Sequence, residues 1–351
     1  MTAFNATEQM ERLDNSERSS WIDLSRVIAI LGVIFIHSSG PFFYQIQSIS
    51  KFEWLSVNFI DSATRCSVPI FMMISGALLL KESGYCFSIK TIYKRIMRVF
   101  ITLVIWSILF LYYTSYYTGE KINPTQILIK PAMYHLWFIY AIIGVYLTLP
   151  ILQSIFSTML KSNQFTIYFF CLWLIYTSMP IYINLPLAKL LQLNELFGYG
   201  GYFLLGGVIK LKSKNHNPKN PVLISIYIIS VLITFLITTY LSFKTNSGNE
   251  TAYQYFSINV FASSISMFFI LSKIDLGISV GKIFEWLSDK CFLIFFMHPI
   301  VLERVVNAIK SISPLIPLSI LILLSTVITF VICIVISHII RMIPSSRKFF
   351  G

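Results

Sequence analysis

Residues 25–39 read SRVIAILGVIFIHSS. Between Arg26 and His37 stand ten residues without a single polar side chain. Extended on both sides to about 21–43, this run is long enough to cross a bilayer as one helix, which takes about 20 residues. It is too long for the apolar region of a signal peptide, and the stretch before it, with Glu8, Glu11, Arg12, Asp14, Glu17 and Arg18, has no apolar core. An ionisable side chain near the bilayer centre costs at least about 2.5–3.5 kcal/mol, so Arg26 and His37 carry information. Eleven steps of about 100° close three turns plus about 20°, which puts both on one helical face about 16 Å apart along the axis. Two readings stay open: Arg26 snorkels to the interface and His37 bonds a neighbouring carbonyl, or the shared face is a functional stripe.

Working outward, the whole chain is apolar. Of 351 residues, 56% are hydrophobic, 16% aromatic and 12% charged, against about 25% charged in soluble domains. This argues against a soluble globular domain, a disordered chain and a nucleic-acid reader. The pattern predicts an all-α, polytopic integral membrane helix bundle of about ten transmembrane helices. The expected spans are about 21–43, 57–80, 99–117, 132–152, 165–183, 196–211, 221–243, 253–272, 290–309 and 315–340. The sixth is the weakest, because Gly198, Gly200, Gly201, Gly206 and Gly207 interrupt it, although small residues suit closely packed membrane helices.

The formal net charge is +12, and its distribution explains it. Eighteen Lys and Arg fall in the tail and alternate connections, six on the other side, and Arg26, Arg65 and Arg304 lie inside spans. The excess places both termini in the cytoplasm. The expected organisation is a polar N-terminal tail (1–20), a membrane domain (21–343) and a short basic C-terminal tail (344–351). Cys66, Cys86, Cys171, Cys291 and Cys333 form no C-x-x-C pair and no zinc-ligand spacing, so neither a disulfide framework nor a metal site is expected.

The remaining ionisable residues within spans are few. Asp61 and Arg65 are spaced to pair at i, i+4, one turn before Pro69, which can kink that helix. His135, beside Trp137, sits at the outer edge of the fourth span, where interfacial anchoring accounts for both. His298 precedes Pro299 midway along the ninth span, and Glu303 lies about 7.5 Å further outward by helical rise. Arg95 and Arg98, at i, i+3 just before the third span, present two guanidinium groups on one side, suited to phosphate as well as to a topology signal.

These stretches resemble the membrane acyltransferase 3 family. SRVIAILGVIFIHSS matches its Arg-(ten residues)-His motif at Arg26 and His37. TRCSVPIFMMISGALLL (64–80) is similar to its second helix at Arg65, Val68, Pro69, Phe71, Ser75 and Gly76. YKRIMRVF (93–100) resembles its Arg-x-x-Arg element at Arg95 and Arg98, and YHLWFIYAIIGVYLTLP (134–150) its His-Leu-Trp-Phe helix at His135 and Trp137. FLIFFMHP (292–299) is a weaker echo.

The resemblance implies a multi-pass enzyme of the bacterial inner membrane. It would move an acyl group, usually acetyl, from cytoplasmic acyl-CoA to a hydroxyl of a glycan or lipid-linked sugar. The pattern is most similar to stand-alone O-acetyltransferases of surface polysaccharide and enterobacterial common antigen. On this reading His37 is the general base, Arg26 contacts the coenzyme arm, and Arg95 and Arg98 take the nucleotide phosphates. Arg65 stabilises the oxyanion or holds the acceptor, and Asp61, His135, Trp137, His298 and Glu303 serve the acceptor or orient His37. Acetyl-CoA is then a co-substrate, with no metal. The partners are the glycan or lipid-linked sugar acceptor and membrane lipid, not nucleic acid, and a homo-oligomer is left open. The rivals are a transporter of a small anionic or sugar solute, built on the same buried charges, and a non-catalytic sensor or scaffold.

Overall fold

The computed structural model describes residues 20–82, 88–119, 125, 127, 129–182, 193–212 and 218–343. The expected tails at 1–19 and 344–351, and Cys86, lie outside the described residues. The described residues form helices and connecting loops without a strand. In chain order the helices are α1 Ser20–Phe43, α2 Lys51–Thr64, α3 Ser67–Leu79, α4 Ile89–Thr118, α5 Trp137–Leu147, α6 Leu149–Lys161 and α7 Asn163–Tyr182. They continue with α8 Leu193–Lys212, α9 Asn220–Thr245, α10 Ile258–Ser272, α11 Gly277–Ser288, α12 Cys291–Ile312 and α13 Leu318–Met342.

Eight helical stretches are long and apolar enough to cross a membrane: α1, α2–α3 taken together, α4, α7, α9, α10 with the turn before it, α12 and α13. A ninth is the pair formed by Tyr134–Leu147 and α6, bent by 67°. Pro150 opens α6 and lacks the N–H needed to continue α5 unbroken. The expected sixth span, α8, is the one that falls short in hydropathy. Three of its glycines, Gly201, Gly206 and Gly207, stand where a Cβ would clash. A Cβ on Gly206 would lie 1.9 Å from the Met73 carbonyl oxygen, and one on Gly76 of α3 would lie 1.7 Å from the Phe203 carbonyl oxygen. The α3–α8 crossing is therefore backbone against backbone, the arrangement small residues permit in membranes.

Two helices show how the surface is organised. On α9, Ser230, Thr234, Thr238 and Ser242 recur every four residues and are buried, while Ile228, Leu232, Leu236 and Tyr240 are exposed. On α13, Ser325, Thr329, Cys333 and Ser337 repeat the pattern, with Val327, Val331 and Val335 outside. Small hydroxyls face protein and branched apolar groups face outward. That is the reverse of a soluble bundle, and it suits a lipid solvent.

The Arg26–His37 helix is the centre of the bundle. α1 packs against α2, α3, α10, α11, α12 and α13. The loop contacts follow the expected alternation of sides. At one end Arg341 donates to the Asp289 carbonyl, Lys273 donates to the Pro218 carbonyl, and Gly281 of α11 abuts Ser20. At the other end Tyr44 donates to Glu250 (2.6 Å) and Gln47 to the Asn246 carbonyl (2.9 Å). The start of α1 and the end of α13 thus share one end of the bundle.

Candidate active site

The site is built where α1, α5 and α12 meet. α1 is unbroken from Arg26 to His37, so the shared face expected from the spacing is present. His37, His135 and His298 come together from three helical segments. Ring centroids are 5.3 Å apart for His37–His298, 5.2 Å for His135–His298 and 6.4 Å for His37–His135. His37 is half-buried, whereas His135 and His298 are 2% and 0% exposed. His135 is therefore not an interfacial anchor: the turn Tyr134–Leu136 tucks it inward against Phe110 and Phe295. Tyr134, 4.8 Å from the His37 ring and itself exposed, stands between His37 and the outside.

The local sequence fixes the state of His298. Pro299 has no N–H, so the carbonyl four residues back, on Phe295, loses its helical donor. His298 Nδ1 lies 2.7 Å from that carbonyl oxygen and 3.1 Å from the Ile294 carbonyl oxygen. Carbonyls only accept, so Nδ1 carries the hydrogen, and the neutral ring keeps its lone pair on Nε2. Nε2 is buried without a hydrogen-bond partner. The His-Pro pair is thus a self-capping kink that leaves one basic nitrogen uncommitted beside His37.

Two cavities with part of their walls in common lie near this cluster, and the smaller one touches it. The larger, about 360 Å³, is walled by Arg26, Arg98, Ser75, Tyr146, Ser288 and Asp289 among others. The smaller, about 20 Å³, is walled by His37, His135, Trp137, Tyr255, Val33 and Val68. Both are bounded by Phe71, Phe138 and Phe295. The Phe71–Phe138 and Phe138–Phe295 rings are 6.0 and 5.6 Å apart, which makes a collar between the two spaces. Arg26 reaches the larger chamber held by Asp23 (3.5 Å) and by a hydrogen bond to Ser288 Oγ (3.1 Å). The connection between the eighth and ninth spans thus supplies α11 and with it Ser288, which the sequence reading left out.

The other expected residues distribute unevenly. Arg98 lines the large chamber; Arg95 is exposed and outside that lining, though both Arg95 and Arg26 lie within electrostatic reach of Tyr146. Arg65 and Asp61 pair at 2.8 Å, buried, with the guanidinium 4.0 Å over the Tyr253 ring. The pair does not line the small chamber, but the Arg65 charge reaches His37 and Tyr255. Glu303 stands apart, accepting from Tyr113 (2.8 Å) on an exposed face with Arg304. Trp137 lies inside, 5.7 Å from Tyr255 in a stack. Tyr255 went unnoticed in the sequence, and Phe71, Phe138 and Phe295 were marked only as parts of motif stretches and not as a shared wall, since aromatic residues in an aromatic-rich membrane chain stand out by no spacing or charge.

Among the described residues, no three His, Cys, Asp or Glu side chains are placed to share a metal ion. The side chains that line the two chambers include imidazoles, guanidinium groups, hydroxyls and aromatic rings. The Acyl_transf_3 family model, an acyltransferase domain, matches residues 19–338. No curated protein and no solved structure matches the chain. The family match starts one residue before α1, ends within α13 and takes in every wall of both chambers, and the chain belongs to the membrane acyltransferase 3 family.

Proposed function

We propose that this membrane acyltransferase is an O-acetyltransferase of the bacterial inner membrane. It takes acetyl from acetyl-CoA on the cytoplasmic side and transfers it to a hydroxyl of a surface glycan or lipid-linked sugar. The observation that carries the reading is the pair of chambers: a cationic space with Arg26 and Arg98 that shares a phenylalanine wall with the space at His37. The polyanionic nucleotide end of the coenzyme suits the Arg98 end. The thin pantetheine arm suits the passage along α1, where Arg26 and His37 stand about 16 Å apart. The Lys and Arg bias of the loops supports a cytoplasmic position for that end.

In this mechanism His37 accepts the proton of the acceptor hydroxyl as its oxygen attacks the thioester carbonyl. The tetrahedral intermediate carries a negative oxygen, stabilised by the nearby Arg65 charge. It collapses with cleavage of the carbon–sulfur bond. The departing coenzyme thiolate takes the proton from His37, which leaves an acetyl ester, free CoA and a neutral imidazole. An acyl-His37 intermediate would run through the same chamber with the same residues.

The test uses membranes carrying the protein, incubated with radiolabelled acetyl-CoA. Wild type should release CoA and label a glycan or lipid-linked fraction, and His37→Ala should abolish both while remaining inserted. Near-normal labelling by His37→Ala removes His37 from the chemistry. Solute uptake without CoA release favours the transporter.

A further inference from the structure

The chamber around His37 is much smaller than the one that leads to it, and the difference bears on which acyl groups fit. The space is about 20 Å³. On this scale one water-sized group needs roughly 10–15 Å³. A thioester carbonyl held beside His37 projects its acyl chain into this space, because the sulfur and the pantetheine arm fill the way back through the collar. Of the chamber's nine wall residues, Val33, Val68, Phe71, Phe138 and Phe295 carry no polar atom beyond the backbone, and His37, His135, Trp137 and Tyr255 complete the wall. Val33, Phe138 and Phe295 are buried in the central core cluster, and the rings brace one another, so the walls cannot retreat without repacking three helices.

We propose that this pocket is an acyl-length filter: Val33 and Val68, the aliphatic wall residues outside the collar, leave space for the methyl of an acetyl group and exclude longer chains. The filter rests on the acyl-transfer reading above. It assigns two kinds of work to separate residues. Arg26 and Arg98 recognise the coenzyme whatever it carries, while the apolar wall discriminates only at the far end. A butyryl group adds two methylenes with nowhere to lie. Each misfitted methylene in an apolar pocket is worth roughly 10-fold or more in kcat/KM, so acetyl should exceed butyryl by roughly 100-fold.

The experiment measures transfer from acetyl-CoA and butyryl-CoA in the same membranes, with wild type, Val68→Ala and Val33→Ala. Each substitution removes two methyl groups from the wall of the small chamber. Wild type should prefer acetyl by roughly 100-fold, and at least one variant should raise the butyryl-to-acetyl ratio by roughly 10-fold or more. Equal use of the two donors by wild type overturns the filter while leaving acyl transfer intact. An unchanged ratio in variants that still move acetyl also overturns it. A wild type that moves neither group overturns the acyl-transfer reading and the filter with it.

Discussion

The bond between His298 and the Phe295 carbonyl makes a prediction that separates structure from chemistry. His298→Ala removes the imidazole donor that stands in for the N–H missing at Pro299. The carbonyl is then left unpaired in a buried helix, at a cost of about 1–3 kcal/mol. Deleting a buried ring among Phe295, His37 and His135 adds a packing loss of about 2–4 kcal/mol. Introducing Pro299→Ala into the same chain supplies a backbone N–H four residues beyond Phe295, which restores the bond. The two substitutions should therefore be coupled by about 1–3 kcal/mol, with the double variant more stable than the sum of the singles. The assay is a double-mutant cycle by thermal unfolding in detergent, under one set of conditions. Additivity within about 0.5 kcal/mol would refute the argument that His298 caps this carbonyl.

The same cycle carries an activity arm. His298→Asn places an amide N–H near the position of Nδ1 but has nothing at Nε2. If capping is all His298 does, Asn keeps both fold and transfer. The uncommitted Nε2 beside His37 argues otherwise. It can accept a hydrogen bond from the imidazolium that forms on His37 during transfer, so the expected outcome is a stable His298→Asn protein with reduced kcat and a little-changed KM for acetyl-CoA. Wild-type kcat in that variant would leave Nε2 without a part in the reaction.

Further predictions follow from the helix crossing and the coenzyme end. Gly206→Ala or Gly76→Ala sets a Cβ 1.9 or 1.7 Å from a backbone carbonyl oxygen of the partner helix, so each should abolish monodisperse folded protein on size-exclusion chromatography. Gly144→Ala meets nothing within 4 Å and should be neutral or stabilising by up to about 1 kcal/mol; equal damage from all three would dissolve the close-crossing argument. Arg98→Ala should weaken acetyl-CoA binding more than Arg95→Ala does, because only Arg98 lines the large chamber. Calorimetric titration at two salt concentrations checks this, with the Arg98 effect shrinking at high salt.

Much of the fold was legible because membrane insertion writes itself into composition. Long apolar runs, charged connections and an 18-to-6 Lys and Arg asymmetry are single-sequence signals that no tertiary contact can override. The least apolar span is α8, where glycine serves close packing and lowers hydropathy together. Its partner glycine on α3 lies 130 positions away, and nothing in the sequence says that the two are opposite each other. The break between α5 and α6 was written locally, in Pro150, but a bent pair and a straight span have the same composition. The amphipathic α11 sat inside what read as a connection, and so its Ser288 contact with Arg26 was not foreseen.

The candidate site was legible only where an expensive residue marked it. Arg26, His37, His135 and His298 stood out because ionisable groups in spans need a reason, and the structure brings the three imidazoles together. Glu303 stood out by the same rule, yet its helix turns it outward to Tyr113. Asp61 and Arg65 were readable as a pair, and the structure buries them against Tyr253 beside the chamber rather than in its wall. Tyr255 was invisible, and the collar was visible only as motif positions and not as a wall, for the opposite reason: a phenylalanine or tyrosine in lipid costs nothing, so its presence announces nothing. This asymmetry has a mechanistic side. In the proposed mechanism charged residues fix where a coenzyme is held and where a proton moves, and they are few because each is costly. Shape is set by residues that cost little in lipid, so the proposed selectivity for the acyl group rests on residues that neither charge nor hydropathy singles out.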